Sequence, residues 1–138
     1  MKILIVTPTL NGGGAERVAV NLANYYASQG YDTVLLAFRV IGPYLDEVSS
    51  EVNLIDLNVS RTRYSLFKIK SVIKDLSPTH ILSVINSSNI VVGLAVFFNN
   101  NIRVVFREAN TMDELLNFSF IKRCLQKYLK KLNIICKY

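Results

Sequence analysis

"KILIVTPTLNGGGAERVAVNLANYYASQG", residues 2–30, passes from an apolar run through three consecutive glycines into a helix-like stretch. The run "KILIVTP", closed by Pro8, is what a strand covered on both faces requires. Val18, Leu22, Tyr25 and Tyr26 then recur at helical spacing, and Gly30 stands where a helix is expected to end. Glycine loses more backbone entropy on ordering than any other residue, so three in a row need a reason.

The same alternation continues outward. "DTVLLAFRV" (32–40) reads as a second buried strand, "GPYLDEVSS" as a loop with a short helix, and "VNLIDL" (52–57) as a third strand. Residues 64–76 present Leu66, Ile69, Ile73 and Leu76 on one helical face, closed by Ser77-Pro78. "THILSVI" is a fourth strand, "NSSNIVVGLAVFFNN" a helix with a polar start, and "NIRVVFRE" a fifth strand. From about residue 113 the pattern is helical again. Strands alternating with helices, each strand an apolar run, predict an α/β fold: a Rossmann-like, doubly wound parallel sheet of about five strands with helices on both faces. The usual strand order places the first strand centrally. Residues 1–138 are expected to form a single domain.

Composition excludes other classes. The chain has 138 residues, of which 51% are hydrophobic, which is ample for a core without disulfides or metal. Cys124 and Cys136 have no paired cysteine or histidine nearby, so neither a disulfide framework nor a zinc site is expected. They read as thiols in a reducing cytoplasm. The apolar start is too short for a signal peptide. Residues 79–102 carry no formal charge, but "INSSN" interrupts them, and a spanning helix needs about twenty predominantly apolar residues. Strand, polar loop and buried helix are expected there instead.

The net charge is +6 and unevenly placed. Lys122, Arg123, Lys127, Lys130, Lys131 and Lys137 crowd the C-terminal stretch, and Arg61, Arg63, Lys68, Lys70 and Lys74 form a second group. Such patches attract phosphates, though a solvated helix face has the same composition. The aromatics lie in apolar runs rather than alternating with basic residues, so no nucleic-acid partner is expected.

In a doubly wound sheet, ligands bind beyond the carboxyl ends of the strands. Gly12, Gly13 and Gly14 lie at that edge, before a helix that offers unpaired N–H groups and about half a positive charge. A phosphate is the natural guest, with Arg17 close in sequence; a tight turn under a neighbouring loop is the structural alternative. A dinucleotide fingerprint beginning at Gly12 and Gly14 would place Arg17 at its third glycine, and "AFRV" offers no acid for a ribose. Arg39 keeps an NADP 2′-phosphate open. No glycine precedes a lysine, so a Walker loop is excluded.

The stretch "MKILIVTPTLNGGGAERVAVNLANYYASQGYDTVLLAF", with its G-G-x-E-R segment, resembles the opening of family-4-like retaining glycosyltransferases. "LSPTHILSVINSSNIVVGLA" and "VVFREANTMDE" resemble that family's fourth strand with its helix and its fifth strand. The resemblance covers essentially the whole chain and implies one half of a GT-B arrangement of two Rossmann-like domains. It implies an N-terminal, acceptor-side domain whose glycine loop closes over the diphosphate of a nucleotide-sugar donor, with no metal or other cofactor. It also implies a role in bacterial surface polysaccharide synthesis, on glycan or lipid-linked acceptors, at the inner face of the cytoplasmic membrane.

Carried over by position, Gly12, Gly13 and Gly14 become the diphosphate cradle, with Arg17 beside it. Glu16 orients that loop or meets the acceptor. Asn86 and Ser87 line the acceptor cleft, and Glu108, the candidate catalytic residue, stands with Asn110 at the point of transfer. Ala109 departs from the histidine or arginine that many relatives have between the acid and the asparagine. His80 falls at a strand start, on the opposite edge of the sheet.

The donor-binding C-terminal domain and its paired-glutamate signature are not found in the sequence. The chain therefore reads as the front part of a longer enzyme, with little or no transferase activity expected of it alone. Two other readings stay open: a non-catalytic nucleotide- or phosphate-binding Rossmann module, and an NADP-dependent oxidoreductase. The basic C-terminal stretch could hold the protein peripherally on an anionic leaflet, or pack on a core or on the second domain.

Overall fold

A computed structural model describes residues 1–59, 64–97, 99 and 101–107. Five parallel strands form one sheet: β1 (Lys2–Thr7), β2 (Asp32–Ala37), β3 (Asn53–Asp56), β4 (His80–Ser83) and β5 (Arg103–Phe106). Their order is β3-β2-β1-β4-β5, so the first strand is central as expected. Register pairs Thr7 with Ala37 on one side and Val6 with Ser83 on the other, which brings the ends of β1, β2 and β4 to a common rim.

Among the described residues, three α-helices cover the sheet: α1 (Gly14–Ser28), α2 (Ser65–Leu76) and α3 (Asn86–Val96). Alternating side chains of β1 feed two cores. Ile3 and Ile5 pack under α1 with Leu35, whereas Leu4 and Val6 pack with Ile69 of α2 and Val92 of α3. A short 3-10 helix, Pro43–Glu47, stands in the loop after β2.

The buried stripe of α1 differs from the sequence expectation. Ala15, Ala19, Ala23 and Ala27 are buried with Val20, while Tyr25 is 58% exposed. Alanines four apart lie one above another on a helix, and their small side chains let α1 approach the sheet closely. The larger residues at 18, 22 and 26 only flank that contact. Gly30 does end α1, with φ +77 just beyond the cap Gln29.

The described part of residues 79–102 includes β4 and α3, and no described helix is long and apolar enough to cross a membrane. Strands β2 to β5 are each shorter than their apolar runs, and backbone hydrogen bonds from Phe38, Arg39, Leu57 and Val84 continue past the strand ends. The helix expected beyond residue 113, the two cysteines and the basic stretch 122–138 lie outside the described residues.

Candidate functional site

The rim at the end of β1 is built by backbone pairing with the loop after β2. Thr7 and Pro8 carbonyls accept the amides of Phe38 and Arg39 at 3.2 and 3.1 Å. Leu10 is fully buried; it donates to Ile41 O at 2.9 Å and accepts from Tyr44 N at 3.2 Å. Gly42 adopts φ +126 and packs its bare Cα on the Leu10 carbonyl, where a Cβ would collide with main chain. Tyr44 then donates its hydroxyl to Gly12 O at 3.2 Å. The glycine loop is therefore held from one side by residues 41–44.

Each glycine answers a different demand. Gly12 has φ +95, a conformation that L side chains rarely adopt. Gly13 caps α1 in an extended conformation, and its carbonyl accepts Arg17 N at 3.0 Å to close the first turn. A Cβ on Gly13 would strike the Glu16 carboxylate, whereas one on Gly14 would meet no atom within 4 Å. Asn11, Gly12, Gly13 and Gly14 are all exposed, and no side chain caps the helix. The amides of the first turn thus face solvent at the positive end of α1.

Side chains here are arranged differently from the simplest reading of the sequence. Arg17 is exposed and lies over the Tyr44 ring, 5.8 Å from its centroid, in a cation–π geometry. Glu16 folds its carboxylate back against Gly13, so the helix mouth already has an internal anion beside it.

The second arm of the rim is the exit of β4 into α3. Ile85 is the N-cap, and Asn86 and Ser87 form the first two helical positions, both partly buried. Val84 N donates to Val6 O at 3.3 Å, which holds this exit beside that of β1. The chain turns from β1 toward α1 on one face, and from β4 toward α3 on the other. The gap between β1 and β4 is therefore the point where strand order reverses. It sets the glycine loop and Asn86–Ser87 on adjacent exits.

Sequence reasoning missed a buried polar group behind this rim. Ser83 Oγ donates to Ser88 Oγ at 2.9 Å, and Ser88 Oγ donates to Ile85 O at 2.7 Å. Asn89, 8% exposed, donates Nδ2–H to Arg107 O at 3.1 Å, while Arg107 N donates to Ser83 O at 2.8 Å. The backbone of Arg107 is thereby held at both its N–H and its carbonyl. Asn89 Oδ1 and Arg107 Nη1 are buried without a hydrogen-bond partner among the described residues. The cue is the polar run "NSSN" opening an otherwise apolar helix, of which only Asn86 and Ser87 are candidate site residues by resemblance.

Glu108 and Asn110 lie outside the described residues. His80 opens β4 at the far edge of the sheet, with Nδ1 2.9 Å from Thr79 Oγ1. Arg39 is exposed at the end of β2. Among the described residues, no cluster of three His, Cys, Asp or Glu side chains could hold a metal ion.

Sheet order, reversal point and bare loop define a Rossmann-like α/β domain with a helix N-terminus exposed at the rim. A family profile matches residues 12–135, and the chain belongs to Glycosyltransferase Family 4. Among solved structures it is similar to a lipopolysaccharide outer core galactosyltransferase, WaaB, in its apo form, with a TM-score of 0.65 at 14% identity. That match covers 98% of this chain and 43% of the other, so the fold is one Rossmann-like half of a GT-B glycosyltransferase. Comparison with curated proteins gives no match.

Proposed function

We propose that this domain serves transfer of a hexosyl unit, with retention, from a nucleotide-sugar donor to a glycan or lipid-linked acceptor in surface polysaccharide synthesis. The observation that carries the reading is the exposed loop Gly12–Gly14 at the mouth of α1, beside the β1/β4 reversal, in a chain of this family. Glycosyl transfer develops negative charge on the departing diphosphate. Main-chain amides aimed at it stabilise that charge without a proton donor or a metal ion. Glu16 would turn away as the diphosphate arrives, and Arg17 would leave the Tyr44 ring to meet it.

Asn86 and Ser87, on the neighbouring exit, would line the acceptor cleft. Glu108 would polarise the attacking hydroxyl, and Asn110 would help to hold the acceptor at that point. The nucleotide-sugar would sit mainly in a complementary domain, so this domain alone would turn over little or nothing. The protein would work in the cytoplasm, peripherally on the inner membrane face.

The test combines the domain with a matching donor-binding domain, by fusion or mixing, and measures sugar transfer with and without Glu108→Gln. Turnover only in combination, reduced at least a hundredfold by the substitution, is expected. Binding of NADPH by fluorescence titration, with no transfer from any nucleotide-sugar, would overturn the reading in favour of an oxidoreductase.

A further inference from the structure

Two polar atoms are left without partners where β4 and β5 leave the sheet. Asn89 is 8% exposed, and its Oδ1 is a buried acceptor with no donor among the described residues. Arg107, just beyond β5, buries Nη1, a cationic donor, with no acceptor among the described residues. Native proteins pair nearly all such atoms, and an unpaired buried group of a charged side chain is the most costly kind. A cation held in this way is explained by an anion that arrives from outside the domain.

The surroundings favour that anion. Strands β4 and β5 and helix α3 contain no Asp or Glu. The ion pair found among the described residues joins Lys2 to Asp32 and does not involve Arg107. Helix α3 starts behind Ile85, which supplies no side-chain cap, so its first-turn amides add positive potential at the same exit. The base of the arginine is fixed: Arg107 N donates to Ser83 O at 2.8 Å, and Asn89 Nδ2 donates to Arg107 O at 3.1 Å. Val84 N, bonded to Val6 O, sets the exit of β4 beside the one that leads to the glycine loop.

We propose that Arg107 is a specificity-determining residue that holds an anionic group, carboxylate or phosphate, carried by the acceptor sugar, with Asn89 as its positioning residue. A guanidinium fits either anion through paired N–H donors. Arg107 as a whole is only partly buried, which gives the side chain a path toward the rim as the anion arrives. A neutral sugar leaves the cation unpaired, so the site discriminates against it. The inference rests on the transferase reading above and names its acceptor class.

The test titrates the isotope-labelled 138-residue chain with methyl glucuronide, glucose phosphate and neutral methyl glucoside, and follows the NMR signals of the Arg107 guanidinium and the Asn89 amide. The first two probes separate carboxylate from phosphate. At least one of them should shift both signals and bind about tenfold or more tightly than the glucoside. Arg107→Gln should abolish that preference, and Arg107→Lys should keep part of it. Loss of an unpaired buried charge should leave the melting temperature of the glutamine variant unchanged or raised, whereas a purely structural arginine would lower it. Equal binding of charged and neutral probes, no binding of either anion, or shifts confined to the Gly12–Gly14 amides would overturn the proposal. Transfer is read separately, in a fusion with a donor-binding domain. Equal transfer to neutral and anionic acceptors would sink this inference and leave the transferase reading standing. Anion binding at Arg107 without any transfer would sink that reading and leave the anion site standing.

Discussion

Tyr44, in the 3-10 helix after β2, donates its hydroxyl to the Gly12 carbonyl at 3.2 Å, across 32 residues of sequence. The same ring lies under the Arg17 guanidinium. One aromatic side chain therefore fixes the glycine loop and parks the cation expected to meet an incoming phosphate. Tyr44→Phe should cost about 0.5–1 kcal/mol of stability, since an exposed hydrogen bond has a modest net value. Tyr44→Ala should also release Arg17 and loosen the loop. Urea unfolding of both variants gives the two costs, and the alanine variant should be the weaker.

The glycines of this region should differ sharply in their tolerance of alanine. Gly42→Ala forces φ +126 on a side chain and drives Cβ into the Leu10 main chain, so about 3 kcal/mol or more is expected. Gly12→Ala carries a backbone cost of about 1–2 kcal/mol. Gly13→Ala displaces only the mobile end of Glu16 and should cost less. Gly14→Ala, in open space within a helix, should be neutral or stabilising by up to about 1 kcal/mol. Thermal melts of the four variants check the order.

Glu16 places a carboxylate at the positive end of α1, which should stabilise the helix by about 0.3–1 kcal/mol. The same carboxylate competes with any diphosphate drawn to those amides. Glu16→Gln should therefore lower the melting temperature slightly and tighten binding of a nucleoside diphosphate severalfold. Calorimetric titration and a thermal melt read the two effects. Weaker diphosphate binding would instead mean that the carboxylate orders the loop for its ligand.

Asn89→Ala should cost about 1–3 kcal/mol, because it leaves the Arg107 carbonyl without its partner. If Glu108 acts as proposed, loss of this bond should lower turnover of a fusion with a donor-binding domain more than acceptor affinity, since Arg107 immediately precedes Glu108 in the chain. Urea unfolding and separate kcat and KM values distinguish the two consequences. Ile69→Ala supplies the core comparison: the side chain is fully buried between α2 and the sheet, and about 2–5 kcal/mol is expected with no change in ligand binding.

Apolar runs and their spacing were enough to read five strands, their helices and the central place of β1, because β1 and β2, covered on both faces, must be nearly apolar throughout, although the outer strands β3 and β5 are partly exposed. Gly30 and Ser77-Pro78 marked helix ends through backbone restrictions that act within a few residues. The buried alanine stripe of α1 was not legible in the same way. Alanine is equally at home on an exposed helix face, and only contact with β1 and β2 decides between the two.

The glycine loop was legible as bare main chain because three glycines have few other uses. What each one accommodates depends on partners distant in sequence, and on where Glu16 turns. The Ser83–Ser88 and Asn89–Arg107 bonds lay hidden because polar residues in a helix start declare no partner. Local chemistry thus determined the elements, their order and the position of the bare glycine turn. Tertiary structure alone decided which side chains guard that turn, which remain unpaired and which surface stays open, because those outcomes depend on distances between segments that sequence separation does not encode.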